Sequence, residues 1–282
     1  LLRTLAAPDA ETAALRASLT VAVEGPAAGR REFEAIVERR DATPAAFVAL
    51  ADLQLGARSR LATLEAGWRR FPGDPAIGEA LARAQLDAGE AQRALETALA
   101  VLRHDRGRHF AWTGAVEAAA SAAPTQVASL LAEMEAALAS DPGRLAEAAT
   151  AIGWLAIPPG DAVTTSTLRW LGAALAEGPD TRLLVARARV HAATRAWPAA
   201  LADLDAALAS SPADAEAAKL RAEVLSYAGR HGEALDAYDR YLRLRPEDEA
   251  ARRQQARVAG WAQDADDMRR RYAALLASAP GN

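Results

Sequence analysis

Four histidines and a few clusters of acids are the side chains with which this sequence could do chemistry. His104-Asp105-Arg106-Gly107-Arg108-His109 places two imidazoles beside a carboxylate, groups suited to a metal ion or to proton transfer. Such work needs the groups to converge in a pocket, whereas Gly107 and the run of charges read as a solvated turn between helices. His191 stands singly on a helix face and His231 singly at a helix start, where a structural role suffices. Asp264, Asp266 and Asp267 resemble a calcium loop, but they lack the loop glycine and distal glutamate of an EF-hand. Acids at the start of a helix already have a reason in the macrodipole. No Gly-x-Ser-x-Gly elbow, Gly-x-x-x-x-Gly-Lys loop or His-Glu-x-x-His pair occurs. The sequence also has no cysteine, which excludes disulfides, thiolate metal sites and a cysteine nucleophile. No catalytic residue, metal or cofactor is expected, and the chain is not expected to be an enzyme.

The elements that carry these residues are helices. Of 282 residues, 77 are alanine, the best helix former, and only 5% are aromatic. Strand formers are scarce, so an extensive sheet is not expected. A core built of alanine and leucine requires helices that pack closely. The 33 basic and 37 acidic side chains leave a net charge of −4, without the basic footprint of a nucleic-acid binder. No apolar run has the length of a membrane span, and Leu1–Thr20 carries acids and arginines where a secretory signal would be apolar. Leu1 in place of methionine suggests a mature chain or an excised domain. Lys219 is the single lysine among the basic residues, and with so much alanine this suggests a GC-rich bacterial genome.

The dominant signal is an internal repeat. Pro212, Pro246 and Pro280 are spaced by 34 residues and again by 34. Ala200 and Ala234 fall in register, as do Leu201 and Leu235, Leu204 and Tyr238, and Leu208 and Leu242. Ala188 and Ala222 occupy matching sites one helix earlier. Each unit reads as two helices joined by a tight turn. Gly229 suits the left-handed position after a first helix, the prolines stop the second helices, and Asp180 and Asp214 suit N-caps. Earlier in the chain the period loosens. Helices are expected over Asp9–Val23, Arg30–Arg40, Thr43–Leu55, Asp74–Gly89, Ala91–Val101, Pro124–Leu138 and Arg144–Ile157. Thr43 precedes Pro44 as a cap, and Pro158-Pro159-Gly160 is the place where a stack would bend. The total is about sixteen helices in eight pairs, which agrees with the length divided by the period.

The pattern resembles the tetratricopeptide repeat (TPR) family. Its small eighth and twentieth residues, apolar or aromatic twenty-fourth, small twenty-seventh and proline thirty-second are matched by Ala188, Ala200, Leu204, Ala207 and Pro212. The next unit matches with Ala222, Ala234, Tyr238 and Pro246, but has Tyr241 at a small site. The last keeps Ala256, Tyr272 and Pro280, with Met268 and Leu275 at small sites. The resemblance implies an all-α, right-handed alpha-solenoid of about eight antiparallel helix pairs. By this reading residues 1–72 are divergent helical repeats and 73–142 TPR-like repeats. Residues 143–179 form a divergent repeat with the Pro-Pro-Gly break, and 180–282 hold the well-matched repeats and a capping pair.

The resemblance also implies a concave groove lined by first-helix positions two, five, nine, twelve and thirteen. Carried onto this sequence, these are Arg182, Val185, Arg189, Glu216, Lys219, Glu223, Ser226, Tyr227, Arg253, Arg257 and Trp261. Arginine and aromatic residues are frequent interface anchors. The members of the family that grip a C-terminal carboxylate use lysine, arginine and paired asparagines. Here Asn282 is the single asparagine, so Lys219 and Arg253 make an incomplete clamp. The expected function is non-catalytic scaffolding, with another protein or a peptide segment as partner. The alternatives are the TPR part of a bacterial surface-polymer exporter, with polysaccharide-export components as partners, and a regulatory arm of a larger enzyme. The sequence leaves the compartment open between cytoplasm and periplasm.

Overall fold

The computed structural model describes residues 9–155, 161–262 and 273, and all regular secondary structure among them is helical. Contacts divide the chain into two compact units, one up to Asp141 and one from Pro142. The first holds four pairs: α1 (Ala10–Glu24) with α2 (Pro26–Val37), α3 (Pro44–Asp52) with α4 (Ala57–Arg70), α5 (Pro75–Asp87) with α6 (Ala91–His104), and α7 (His109–Ala122) with α8 (Val127–Leu138). The second holds α9 (Pro142–Trp154) with α10 (Asp161–Ala176), α11 (Thr181–Ala193) with α12 (Trp197–Ser210), α13 (Ala215–Tyr227) with α14 (His231–Leu244), and then α15 (Glu249–Trp261). The sixteenth helix expected from sequence lies outside the described residues, as do Pro158-Pro159-Gly160, Met268, Tyr272, Leu275 and Pro280.

Within each unit, helices pack on their chain neighbours and first helices also pack on first helices. In the first unit α3 meets α5 and α5 meets α7; in the second α9 meets α11 and α11 meets α13. This is the nearest-neighbour stacking of a helical repeat, in which no pair buries both its faces alone. The small sites sit at the tightest points: Ala188, Ala200, Ala207, Ala222, Ala234 and Ala256 are wholly buried. Leu204 and Tyr238, at the larger twenty-fourth position, fill the space between pairs. In the first unit glycines serve the same end. A Cβ on Gly67 would lie 3.0 Å from the Phe47 side chain, and one on Gly78 would lie 2.8 Å from the Trp68 ring.

The helix ends follow local chemistry. Asp180 accepts from the N–H groups of Arg182 and Leu183 at 2.7 and 3.2 Å. Asp214 accepts from Ala217 and Asp248 from Ala251, both at 2.9 Å. These three caps recur with the repeat and satisfy amides that the helix leaves unbonded. Gly229 has φ +74°, and the N–H of Arg230 reaches back to the Leu225 carbonyl at 2.9 Å, a Schellman closure. The same closure ends α11, where Ala196 N–H reaches His191 O at 2.8 Å, but the left-handed residue is Arg195, with φ 59°.

Several boundaries differ from expectation. α2 begins at Pro26, not Arg30, because Gly25 (φ 96°) turns the chain within one residue. Pro124–Gln126 forms a 3-10 turn before α8, since the expected α-helix starts only at Val127. α3 ends at Asp52, before Leu55. Thr43 precedes Pro44 but its side chain makes no capping bond. α9 spans Pro142–Trp154 instead of Arg144–Ile157. Tyr241 at a nominally small site is buried, and its hydroxyl donates to Asp248 Oδ2 at 2.6 Å. No described helix is long and apolar enough to cross a membrane.

Candidate interaction face of the second unit

The first helices of the second unit, α9, α11, α13 and α15, are each thirteen residues long. Their last residues are Trp154, Ala193, Tyr227 and Trp261. Three of those four positions therefore carry large aromatics, and all three are exposed, Tyr227 to 67%. Positions nine and thirteen are one helical turn apart and share a face. That geometry sets Glu223 beside Tyr227 on α13.

Two adjoining cavities open along this face. The first, about 200 Å³, is bordered by α9, α10, α11 and α13, with Arg189, Leu220 and Glu223 in its wall. The second, about 330 Å³, is walled by Trp197, Leu220, Glu223, Val224 and Tyr227, with Arg195 at its border. Ala192, Ala193, Leu220 and Glu223 line both, so the two form one trough.

The charged groups around the trough are mostly committed to each other. The Arg189 guanidinium lies 4.3 Å from the centroid of the Trp154 ring and donates to Glu216 Oε1 at 3.2 Å. Lys219 Nζ donates to Asp248 Oδ2 at 3.0 Å and lies over the Tyr241 ring. The Tyr241 hydroxyl, the Ala251 N–H and the Lys219 ammonium hold the Asp248 carboxyl far below the usual carboxylate range. Burial and the bond to Asp248 push the Tyr241 hydroxyl up to about 12. Glu223 differs: among the described residues no hydrogen bond or ion pair closes on its carboxylate. Burial pushes its pKa up, against the opposing pull of Lys219 and Arg189.

The residues assigned to the groove from sequence therefore fall into three groups. Arg189, Glu216, Lys219, Glu223 and Tyr227 are brought together around the trough. Arg182, Arg253, Arg257 and Trp261 are exposed but lie outside the lining of both cavities. Arg253 instead faces Glu249 at 3.4 Å, and Trp261 packs its ring 5.9 Å from His231. Val185 and Ser226 are corrections, since both are buried. Position five lies three residues before the small eighth residue and position twelve four after it, so both border the packed face. A valine or serine there turns inward, whereas Lys219 extends its stem to reach solvent.

Trp154, Arg195 and Trp197 were not assigned to the face from sequence. Trp154 could have been found by counting from Pro142 as the first position of a unit, which puts it thirteenth. The His104–His109 segment is a turn held by structural pairs. Arg108 makes a two-pronged bond to Glu79 at 2.9 and 2.8 Å, and Trp112 Nε1 donates to the Arg106 carbonyl at 2.8 Å. His191 lies 3.9 Å from Asp203, and burial lowers its pKa. Asp264, Asp266 and Asp267 lie outside the described residues.

No protein-family model matches this chain. No curated protein matches it in sequence. Solved structures do. A tetratricopeptide repeat protein from Parabacteroides merdae superposes with a TM-score of 0.60 at 14% identity, covering 88% of this chain and 98% of that one. PilW, a type IV pilus biogenesis factor, gives 0.53 at 19% identity over 74% of this chain and 94% of its own. The structure of the APC/C hetero-tetramer Cut9–Hcn1 gives 0.51 at 14% identity over 88% of this chain and 54% of that one. At these identities the likeness is one of fold, and it coincides with the 34-residue period, the small-residue sites and the stacked first helices. The chain has the all-α fold of the tetratricopeptide repeat proteins.

Proposed function

We propose that this chain is a non-catalytic scaffold that holds a segment of a partner protein along the first-helix face of its second unit. The observation that carries this reading is the apolar trough over α11 and α13, flanked by exposed Tyr227 and half-buried Trp197. Aromatic side chains bury much area at low entropic cost and are the common anchors of interfaces. The fold supports the same reading, because structures with this arrangement include a protein of the APC/C hetero-tetramer and a pilus biogenesis factor.

The test is affinity capture with the intact chain and with Tyr227→Ala, Trp261→Ala and Arg253→Glu. The partners held by the parent chain are expected to be lost with Tyr227→Ala and weakened by the other two. If all three variants keep the same partners at equal strength, the face is not the docking surface.

A further inference from the structure

The trough contains one group whose chemistry is left open. Glu223 is a half-buried carboxylate that lines both cavities. The strongest charge effects on it come from Lys219, Glu216, Arg189 and Asp248. Lys219 is committed to Asp248 at 3.0 Å, and Arg189 to Glu216 at 3.2 Å and to the Trp154 ring. Neither nearby cation therefore spends its hydrogen bonds on Glu223. A half-buried carboxylate with no hydrogen-bond partner among the described residues favours an incoming cationic donor, because charge-assisted bonds are the stronger ones and gain further as a bound segment displaces water.

The rest of the cavity suits the stem of such a donor. Leu220 and Val224 form an apolar floor, and the Trp197 and Tyr227 rings lie 6.3 Å apart and within 21° of parallel. Aromatic faces attract ammonium and guanidinium groups, and apolar walls accept their methylene stems. The ninth position is acidic in this repeat alone among the three well-matched ones, since it is Arg189 in α11 and Arg257 in α15. The feature is thus local and not a general property of the face. Arg195 also borders the cavity, but it is exposed and is not among the strongest charges acting on Glu223.

We infer that the cavity walled by Trp197, Tyr227 and Glu223 is a slot for a lysine or arginine side chain of the partner segment. This rests on the groove reading above and adds the chemistry of the residue that the groove selects.

A random displayed-peptide library selected against the intact chain tests the slot. The enriched peptides carry an arginine or lysine next to apolar residues. The enriched peptides, resynthesised with arginine, lysine or citrulline at that position, separate guanidinium from ammonium and from the uncharged shape. Glu223→Gln, which keeps volume and leaves melting no lower than the parent, weakens the cationic peptides by about tenfold or more. Citrulline has the same effect on the parent chain. Arg195→Ala leaves binding equal or tighter. Enrichment of acidic or uncharged peptides, unchanged affinity in Glu223→Gln, or weakened binding in Arg195→Ala overturns the slot. In those cases loss of the peptides with Tyr227→Ala keeps the groove reading standing, whereas indifference to both Glu223→Gln and Tyr227→Ala removes both.

Discussion

Trp197 and Tyr227 stack across consecutive repeats, and His231 meets Trp261 at the same separation in sequence one repeat later. In each case the first residue of a second helix touches the last residue of the next first helix. The contact therefore belongs to the seam between successive repeats of the second unit. Such aromatic pairs contribute about 0.5–1.5 kcal/mol beyond buried area. A double-mutant cycle with Trp197→Ala and Tyr227→Ala is expected to show a coupling in that range by urea denaturation. Additive losses would mean that the rings only share solvent-exposed space.

A second set of polar contacts links the seventh position of each first helix to an acid on an adjacent second helix. Arg187, Arg221 and Gln255 occupy one position of three successive repeats, but Arg187 bonds Asp203 sixteen residues later, whereas Arg221 and Gln255 bond Asp205 and Asp239 sixteen residues earlier, on the preceding helix. The burial differs. The Asp203 side chain is 7% exposed and that of Asp205 57%. Removing the partner of a buried charge costs about 3–5 kcal/mol, and removing one partner of an exposed pair about 0–1. Arg187→Met is expected to lower stability severely and Arg221→Met little. Adding Asp203→Leu to Arg187→Met should recover much of the loss, because the orphaned carboxylate is then gone.

Arg195 holds a left-handed backbone where Gly229 stands in the next unit. For a residue with a Cβ this conformation costs roughly 1–2 kcal/mol. Arg195→Gly should therefore raise the melting temperature of the chain, with a gain of about 1 kcal/mol. Gly229→Ala should lower it by a similar amount. An unchanged melting point for Arg195→Gly would mean that the arginine side chain makes up the difference.

Two carboxylates have opposite pH signatures. Asp248 is depressed by its bonds to Tyr241, Ala251 and Lys219, so it stabilises the fold above its unfolded pKa and loses that contribution as pH falls through the lower folded value. Asp248→Asn should melt below the parent at pH about 7, with the gap closing below pH about 4. Glu223 is raised by burial, so the folded state holds its proton more tightly and the charged form costs stability. Glu223→Gln should melt at or above the parent at pH about 7, and the gap should also close as pH falls to about 4. Melting curves of the three chains across pH separate the two signs.

Much of this protein was legible in its sequence. The 34-residue spacing, the small eighth and twentieth residues and the aspartate caps are local signals, and each follows from one helix turn or one close approach. Counting from a cap also gives the face on which a residue lies, so Glu223 and Tyr227 could be placed side by side. The divergent stretch around Trp154 hides its own register, because its first helix starts at Pro142, two residues before the expected Arg144.

What only the tertiary structure decided is which groups meet. Whether Val185 and Ser226 turn inward depends on how the neighbouring helices cover the flanks of the packed face. Whether Arg189 and Lys219 are available to a partner depends on Glu216, Trp154 and Asp248, which reach them from other helices. Periodicity fixes directions around one axis, but contacts across axes depend on the rotation and offset of each helix against the next. Among the described residues Glu223 is left without a hydrogen-bond partner by that offset, and this could not be read from any single helix.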